Sequence, residues 1–358
     1  MKIGILTLPL TTNYGGILQN YALQTVLKRM GNEVWTIDHY KYTWLDWFDN
    51  AWRVLAHKML GHDVKFGQTP PKKKAIAKYL RSFVLQNMSI TAPCTNYIDK
   101  KIVKKYGFDA IVVGSDQVWR PQYNRHIEKM FLSSFKNMNI KRIAYAVSFG
   151  SDKWELTPKQ TKICTPLAQK FDAVSVREAS GVALCRNYMN VDATHVLEPT
   201  LLLTAKDYLH LCSDIPFKDP FVFAYILDPN EEKITEIKTF AQRKGLPYII
   251  RSAGHLIDKD ASIELWISQF RDAAFVITDS FHGTVFSIIF EKEFYVYANL
   301  CRGNSRFDSL LGLFNLKNRV VDGHISEKGK IDWEKVNDSI AKERSMSIDF
   351  IRQNVNSI

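Results

Sequence analysis

The chain has 358 residues, enough for about two domains, and 46% of them are hydrophobic, enough for a substantial core. Its formal charge of +11 calls for an anionic partner or a generally basic surface, but no helix-turn-helix, RNA-recognition signature or zinc finger supports nucleic acid. Five scattered cysteines without a CxxC pair argue against a zinc site or disulfide framework and fit a reducing cytoplasm, and no apolar run nears the ~20 residues of a membrane span.

The N-terminal "KIGILTL" predicts a first strand rather than a signal peptide, because the apolar run is short and Pro9 interrupts it. "TTNYGG" then leads into a helix whose apolar face carries Ile17, Leu18, Tyr21, Val26, Leu27 and Met30. Gly31 ends it and "EVWTIDHY" is the next strand, giving a βαβ unit and a parallel sheet. Asn13, Tyr14, Gly15 and Gly16 face either a phosphate or sugar, or simply make a tight turn. The loop is neither G-x-G-x-x-G nor a Walker A sequence.

Next comes "WLDWFDNAWRVLAHKML", where Trp44, Trp47, Phe48, Ala51, Trp52 and Leu55 fall on one helical face. Packing of that face on the protein's own core is the expectation. The alternative is a membrane interface, which the following "PKKKAIAKYLR" would favour.

Three later segments echo one another: "FDAIVVGSDQVW", "FDAVSVREASG" and "RDAAFVITDSFHG". With "KRIAYAVSFG" they predict parallel strands whose polar carboxyl-end tips line a crevice. The first tip offers Ser115 and Asp116, the latter a base for a hydroxyl or a helix cap. The second offers Arg177, whose planar fork suits a carboxylate or phosphate, or else an ion pair with Glu178.

"CSDIPFKDP" is the linker candidate, and a second α/β series follows it. The predicted units are residues 1–211, 212–330 and a helical 331–358 that crosses back to the first. An α/β protein with two Rossmann-like halves facing a cleft is the expected fold.

"TDSFHGTVFSIIF" is the most informative stretch, with a strand before it and a buried-type helix after it. Ser280 suits the N-cap, and Phe281, His282, Gly283 and Thr284 open the helix, where free N–H groups and the dipole favour an anion. A helical glycine costs about 1 kcal/mol relative to alanine, which close backbone approach to a ligand would justify. A helix N-terminus disfavours an imidazolium until an anion binds, so His282 suits an acid that acts only with anionic substrate present. Otherwise His282 satisfies a core hydrogen bond. "RGNSRFDSLLGL" places Arg302 and Arg306 before an apolar helix as a further anion clamp.

Together "TNYGGILQNYALQ", "GSDQVW", "SFG", "SVREASG", "EPTLLL", "DSFHGTVFSIIF" and "SRFDSLLGL" resemble the polysaccharide pyruvyl transferase family over nearly the whole chain. Glu198 stands where the family's aspartate is expected before Pro199-Thr200, a departure touching only a minor structural role. The resemblance implies a GT-B-like fold and transfer of pyruvate from phosphoenolpyruvate to two hydroxyls of a hexose, forming a cyclic ketal and releasing phosphate. It puts the catalytic histidine at His282 and the phosphoenolpyruvate-binding arginine at Arg177. Ser280, Gly283, Thr284 and Arg306 then assist with the anion; strand-end position alone makes Asp116 the expected base and Asn13, Tyr14, Gly15, Gly16 and Ser115 the expected acceptor side.

No metal site and no cofactor beyond phosphoenolpyruvate as co-substrate are expected. The acceptor is expected to be lipid-linked, and the protein cytoplasmic with peripheral contact at the anionic inner membrane face. The rivals are a GT-B glycosyltransferase using a nucleotide-sugar and a non-catalytic scaffold of glycan assembly.

Overall fold

The computed structural model describes residues 1–39, 47, 48, 51, 52, 54, 55, 59, 70–94, 100–124, 126–213, 217, 219–252, 262–297 and 305–355. A first sheet holds β1 (Lys2–Leu6), β2 (Glu33–Thr36), β3 (Ala110–Val113), β4 (Lys141–Val147), β5 (Ala173–Val176) and β6 (Thr194–His195) in the order β2-β1-β3-β4-β5-β6. A second holds β7 (Val222–Tyr225), β8 (Tyr248–Arg251), β9 (Phe275–Thr278), β10 (Glu293–Tyr297) and β11 (Val320–Val321) in the order β11-β10-β9-β7-β8. Every pairing is parallel. Parallel strands covered on both faces need continuous apolar runs, and "AIVV" of β3 and "VFAY" of β7 are buried throughout.

The second sheet repeats the order of the first five strands of the first sheet. In each, the chain goes from its first strand to one side and then crosses to the other. A crevice therefore opens at the carboxyl ends of β1 and β3, and another at those of β7 and β9. This is the two-part, Rossmann-like α/β architecture expected from the sequence, with the two crevices facing one cleft.

Five helices position the site: α1 (Tyr14–Arg29), α2 (Ile263–Asp272), α3 (Phe281–Ile289), α4 (Ser305–Leu313) and α5 (Trp333–Val355). On α2, Ile263, Trp266, Ile267 and Phe270 recur at helical spacing and are all buried. Each stabilises the fold by about 1.5–3 kcal/mol through the apolar surface it removes from water. Tyr14 of α1 stacks on Trp266 at 5.5 Å and meets Tyr225 edge-on at 6.2 Å. One apolar cluster thereby runs from the first sheet into the second beneath the cleft.

Helix α5 packs back against the first half. Its Ser347 hydroxyl accepts the Leu197 N–H at 2.9 Å, and Arg344 donates to the carbonyls of Leu201 and Leu203. Tyr145 and Tyr208 hydroxyls donate to the carbonyls of Leu197 and Thr200, both at 3.0 Å. The segment from Leu197 to Leu203 is therefore fixed from several directions.

The aromatic-basic segment departs from expectation. Phe48, Trp52 and Leu55 are 52%, 70% and 43% exposed, and Met59 is 83% exposed. Among the described residues of this segment, Val54 is buried and Trp47 and Ala51 are half-buried, so Phe48, Trp52, Leu55 and Met59 face outward rather than into the core. Trp44, Cys301 and Arg302 lie outside the described residues, as do residues 214–216 and 218 of the linker candidate. No helix among the described residues is long and apolar enough to cross a membrane.

Candidate active site

The two crevices share a cavity of 290 Å³. From the β1/β3 side come Thr12, Asn13, Gly15, Asp116 and Gln117; from the β7/β9 side come Tyr225, Asp279, Ser280, Phe281 and His282. Arg306 and Phe307 of α4 close a third side.

The turn into α3 is held rigidly. Ser280 caps it by accepting the Gly283 N–H at 3.2 Å, and its own N–H donates to Thr278 Oγ1 at 3.0 Å. The buried Asp279 carboxylate accepts the N–H groups of Leu227 and Asp228 and pairs with Lys233 at 2.9 Å. His282 is thus presented from a first turn that cannot easily rotate.

Its imidazole lies directly over the first turn of α1. A Cβ added to Gly15 would fall 1.9 Å from Nδ1 of His282, so only glycine lets the two helix starts meet there. On the other ring edge, Nε2 sits 3.5 Å from Oε1 of Glu198, with both side chains buried. Neither atom has a hydrogen-bond partner among the described residues. The second oxygen of Glu198 accepts from the N–H of Thr200 at 3.0 Å and from its hydroxyl.

Asp116, in a left-handed conformation at φ 71°, is firmly engaged. Oδ1 accepts from Arg177 at 3.3 Å and from the Gln117 N–H at 2.9 Å, while Oδ2 accepts from Asn13 at 3.2 Å. Burial pushes its pKa up, but Arg177, His282, the Gln117 N–H and Arg306 outweigh this and hold it below the usual carboxylate range. Such a carboxylate is a weak proton acceptor and a strong anchor for cations. Arg177 is wholly buried, with its guanidinium 4.8 Å from the centre of the Phe281 ring and its Nε 3.8 Å from Glu178 Oε2, the ion pair that the sequence offered as the alternative. Arg306 lies 5.4 Å from the same ring. Burial and then the neighbouring Arg177 charge push Arg306 down to about 10, so it stays cationic at neutral pH. Two helix N-termini and the buried Arg306 around one cavity can hold an anion.

Of the residues predicted from sequence, Asn13, Gly15, Asp116, Ser280, His282 and Arg306 line the cavity. Arg177 lies behind Asp116 and Phe281. Tyr14 belongs to the aromatic cluster under the cleft, and Gly16 packs against the Asn13 side chain. Ser115 is fully buried, its N–H given to Gln19 and its hydroxyl to the Ala146 carbonyl. Thr284 bonds back to the Ser280 carbonyl. A Cβ on Gly283 would meet Thr278 Oγ1 at 2.4 Å, so that glycine serves packing of α3 on β9. Sequence reasoning did not connect Glu198 to the site; its place before Pro199 at the start of a short 3-10 turn signals a cap and nothing more. Among the described residues, no cluster of three or more His, Cys, Asp or Glu side chains could hold a metal ion.

A sequence profile of the family described as polysaccharide pyruvyl transferase matches residues 13–300, most of the chain and all of the cavity residues above except those of α4 and Thr12. The chain belongs to the polysaccharide pyruvyl transferase family. No curated protein matches this transferase-family chain in sequence. Among solved structures it is similar to UDP-GlcNAc 2-epimerase from Methanocaldococcus jannaschii, at 10% identity and a TM-score of 0.47, covering 100% of this chain and 94% of that one. It is also similar to MnaA of S. aureus, at 12% identity and a TM-score of 0.46, covering 98% and 90%. An uncharacterised protein of Klebsiella pneumoniae aligns at 12% identity and a TM-score of 0.40, over 80% of this chain and 100% of that one.

Proposed function

We propose that this pyruvyl transferase family member moves pyruvate from phosphoenolpyruvate onto two hydroxyls of a hexose, forming a cyclic ketal and releasing phosphate. The observation that carries the reading is His282 at a helix N-terminus, on a cavity edged by the buried Arg306. Phosphoenolpyruvate has both phosphate and carboxylate to fill that field. Arg306 and the first turn of α3 bind its anionic groups, and Arg177 offsets the negative charge of Asp116 and Glu178 behind them.

His282 gives a proton to the methylene carbon, C3, leaving a cation at C2. One sugar hydroxyl adds to C2, the phosphate leaves, and the second hydroxyl closes the ring. Of the two hydroxyl protons, one replaces the proton His282 lost to C3 and the other departs on phosphate, so atoms and charge balance. In this reading Asp116 orients the attacking hydroxyl, since the cationic groups around it disfavour full proton removal.

The acceptor in this reading is a lipid-linked surface-polysaccharide intermediate. Support comes from the exposed stripe of Phe48, Trp52, Leu55 and Met59 on a chain of net charge +11, which suits peripheral contact with an anionic membrane. Sedimentation with anionic vesicles at low salt tests it: binding lost on Trp52→Ser supports the contact, and no binding removes it.

The deciding experiment for the reaction compares melting with phosphoenolpyruvate and with a panel of nucleotide-sugars, each variant read against its own ligand-free state. A rise with phosphoenolpyruvate alone, lost in Arg177→Ala, is the expected result. A rise with a nucleotide-sugar alone would assign the cavity to glycosyl transfer.

A further inference from the structure

We infer that Glu198 is the positioning residue for His282: its carboxylate holds the imidazole by Nε2–H, leaving Nδ1 as the nitrogen that exchanges a proton with substrate. The inference rests on the pyruvyl-transfer reading of the same cavity and adds the residue that sets its acid.

The geometry supplies the argument. Nε2 of His282 and Oε1 of Glu198 are 3.5 Å apart, both buried, and neither has a hydrogen bond among the described residues. A buried carboxylate oxygen and a buried ring nitrogen left unpaired are each costly, and pairing them removes both costs. Nδ1 sits at the opposite edge, against the Gly15 backbone that lines the cavity. The other elements facing this pair contribute Asp116, Arg177 and Arg306, with Asp116 close enough to feel the imidazole charge. Glu198 itself cannot swing away. Its other oxygen is held by both donors of Thr200, and α5 clamps the surrounding segment through Ser347 and Arg344. After protonating C3 through Nδ1, the imidazole is left as the Nε2–H tautomer that Glu198 holds, ready to take a hydroxyl proton at Nδ1. A carboxylate in this place stabilises the imidazolium and fixes the ring, as second partners of catalytic histidines do.

The same contacts dictate what Glu198→Gln does. The Thr200 N–H and hydroxyl still require an acceptor, so the amide oxygen takes that position and the amide NH2 turns toward His282. A ring nitrogen facing a donor presents its lone pair, which drives the neutral imidazole to the Nδ1–H tautomer.

The test is the imidazole nitrogen-15 spectrum of His282 in the full chain, assigned by its loss in His282→Gln, at a pH where the ring is neutral. Wild type is expected as Nε2–H and Glu198→Gln as Nδ1–H, with kcat reduced about 100-fold or more and KM for phosphoenolpyruvate little changed. Glu198→Asp, which keeps the carboxylate, should retain the Nε2–H tautomer and recover part of kcat. Wild type found as Nδ1–H, an unchanged tautomer in Glu198→Gln, or full kcat in that variant would each overturn the inference. If Glu198→Gln does not fold, the wild-type spectrum alone decides. Failure of wild type to consume phosphoenolpyruvate with any hexose acceptor would remove the reaction instead, without touching the tautomer result.

Discussion

The two strand-end crevices share one topology and carry opposite chemistry. At β1/β3, the polar groups are spent on one another: Asp116 is bonded by Arg177, Asn13 and Gln117, and Ser115 and Gln19 close on each other. At β7/β9, the turn backbone is equally fixed by Ser280 and Asp279, yet Nε2 of His282 has no conventional hydrogen bond among the described residues. The first crevice is a wall, made of backbone and a neutralised charge cluster; the second presents the imidazole that exchanges a proton in the proposed reaction. Duplicated topology therefore fixes where a ligand sits, while the residues at each tip decide which side does the chemistry.

The sharpest way to break this contrast is His282→Ala. Phosphate release from phosphoenolpyruvate in the presence of acceptor should fall by at least roughly 10²–10⁴-fold, with melting close to wild type. Turnover within tenfold of wild type would remove His282 as the acid.

Gly15→Ala attacks the same residue from the wall side. The added methyl occupies the position of the imidazole, so the ring must shift, and kcat should fall about 100-fold. An unchanged kcat would mean that α1 yields and that the first crevice does not set the ring.

Asp116→Asn tests whether the wall is an electrostatic structure. Leaving the buried Arg177 with only the more distant Glu178 carboxylate should cost about 2–3 kcal/mol at neutral pH, measured by urea unfolding. The sign with pH follows from the depressed carboxyl. Its stabilisation is fully present above the unfolded value, near 3.8, and is lost as pH falls through the lower folded value. The gap between wild type and variant should hold from neutrality to mild acid and close below that. A gap that widens on acidification would contradict the pairing.

Ser280→Ala has the smallest expected effect, about 1 kcal/mol of stability from the lost cap, measured in the same way. A larger loss of kcat than stability explains would show that the cap also tunes the placement of His282.

Much of the frame was legible along the chain. Asp-Ala entries, apolar runs and polar tips located β3, β5 and β9 and the ends that bear the site. Ser280 as a cap and His282 in the first turn followed from local spacing, because capping depends on backbone groups within three residues. The same local information misplaced the stripe of Phe48, Trp52 and Leu55. A helical repeat shows that one face is apolar, without showing whether the fold has anything to put against it. It also gave Gly283 to a ligand, where Thr278 fills the space.

The sequence by itself thus determined two α/β units, the strand ends that carry polar residues and the helix that presents His282. Only the tertiary structure decided that Gly15 lies under the imidazole, that Arg177 stands behind Asp116 and that Glu198 meets Nε2. Those pairs are remote along the chain and come from different elements. Their meeting depends on how two sheets, a returning C-terminal helix and a shared aromatic cluster pack together. Hydrophobic periodicity reports which face of an element is buried, and carries no information about which remote face it will meet.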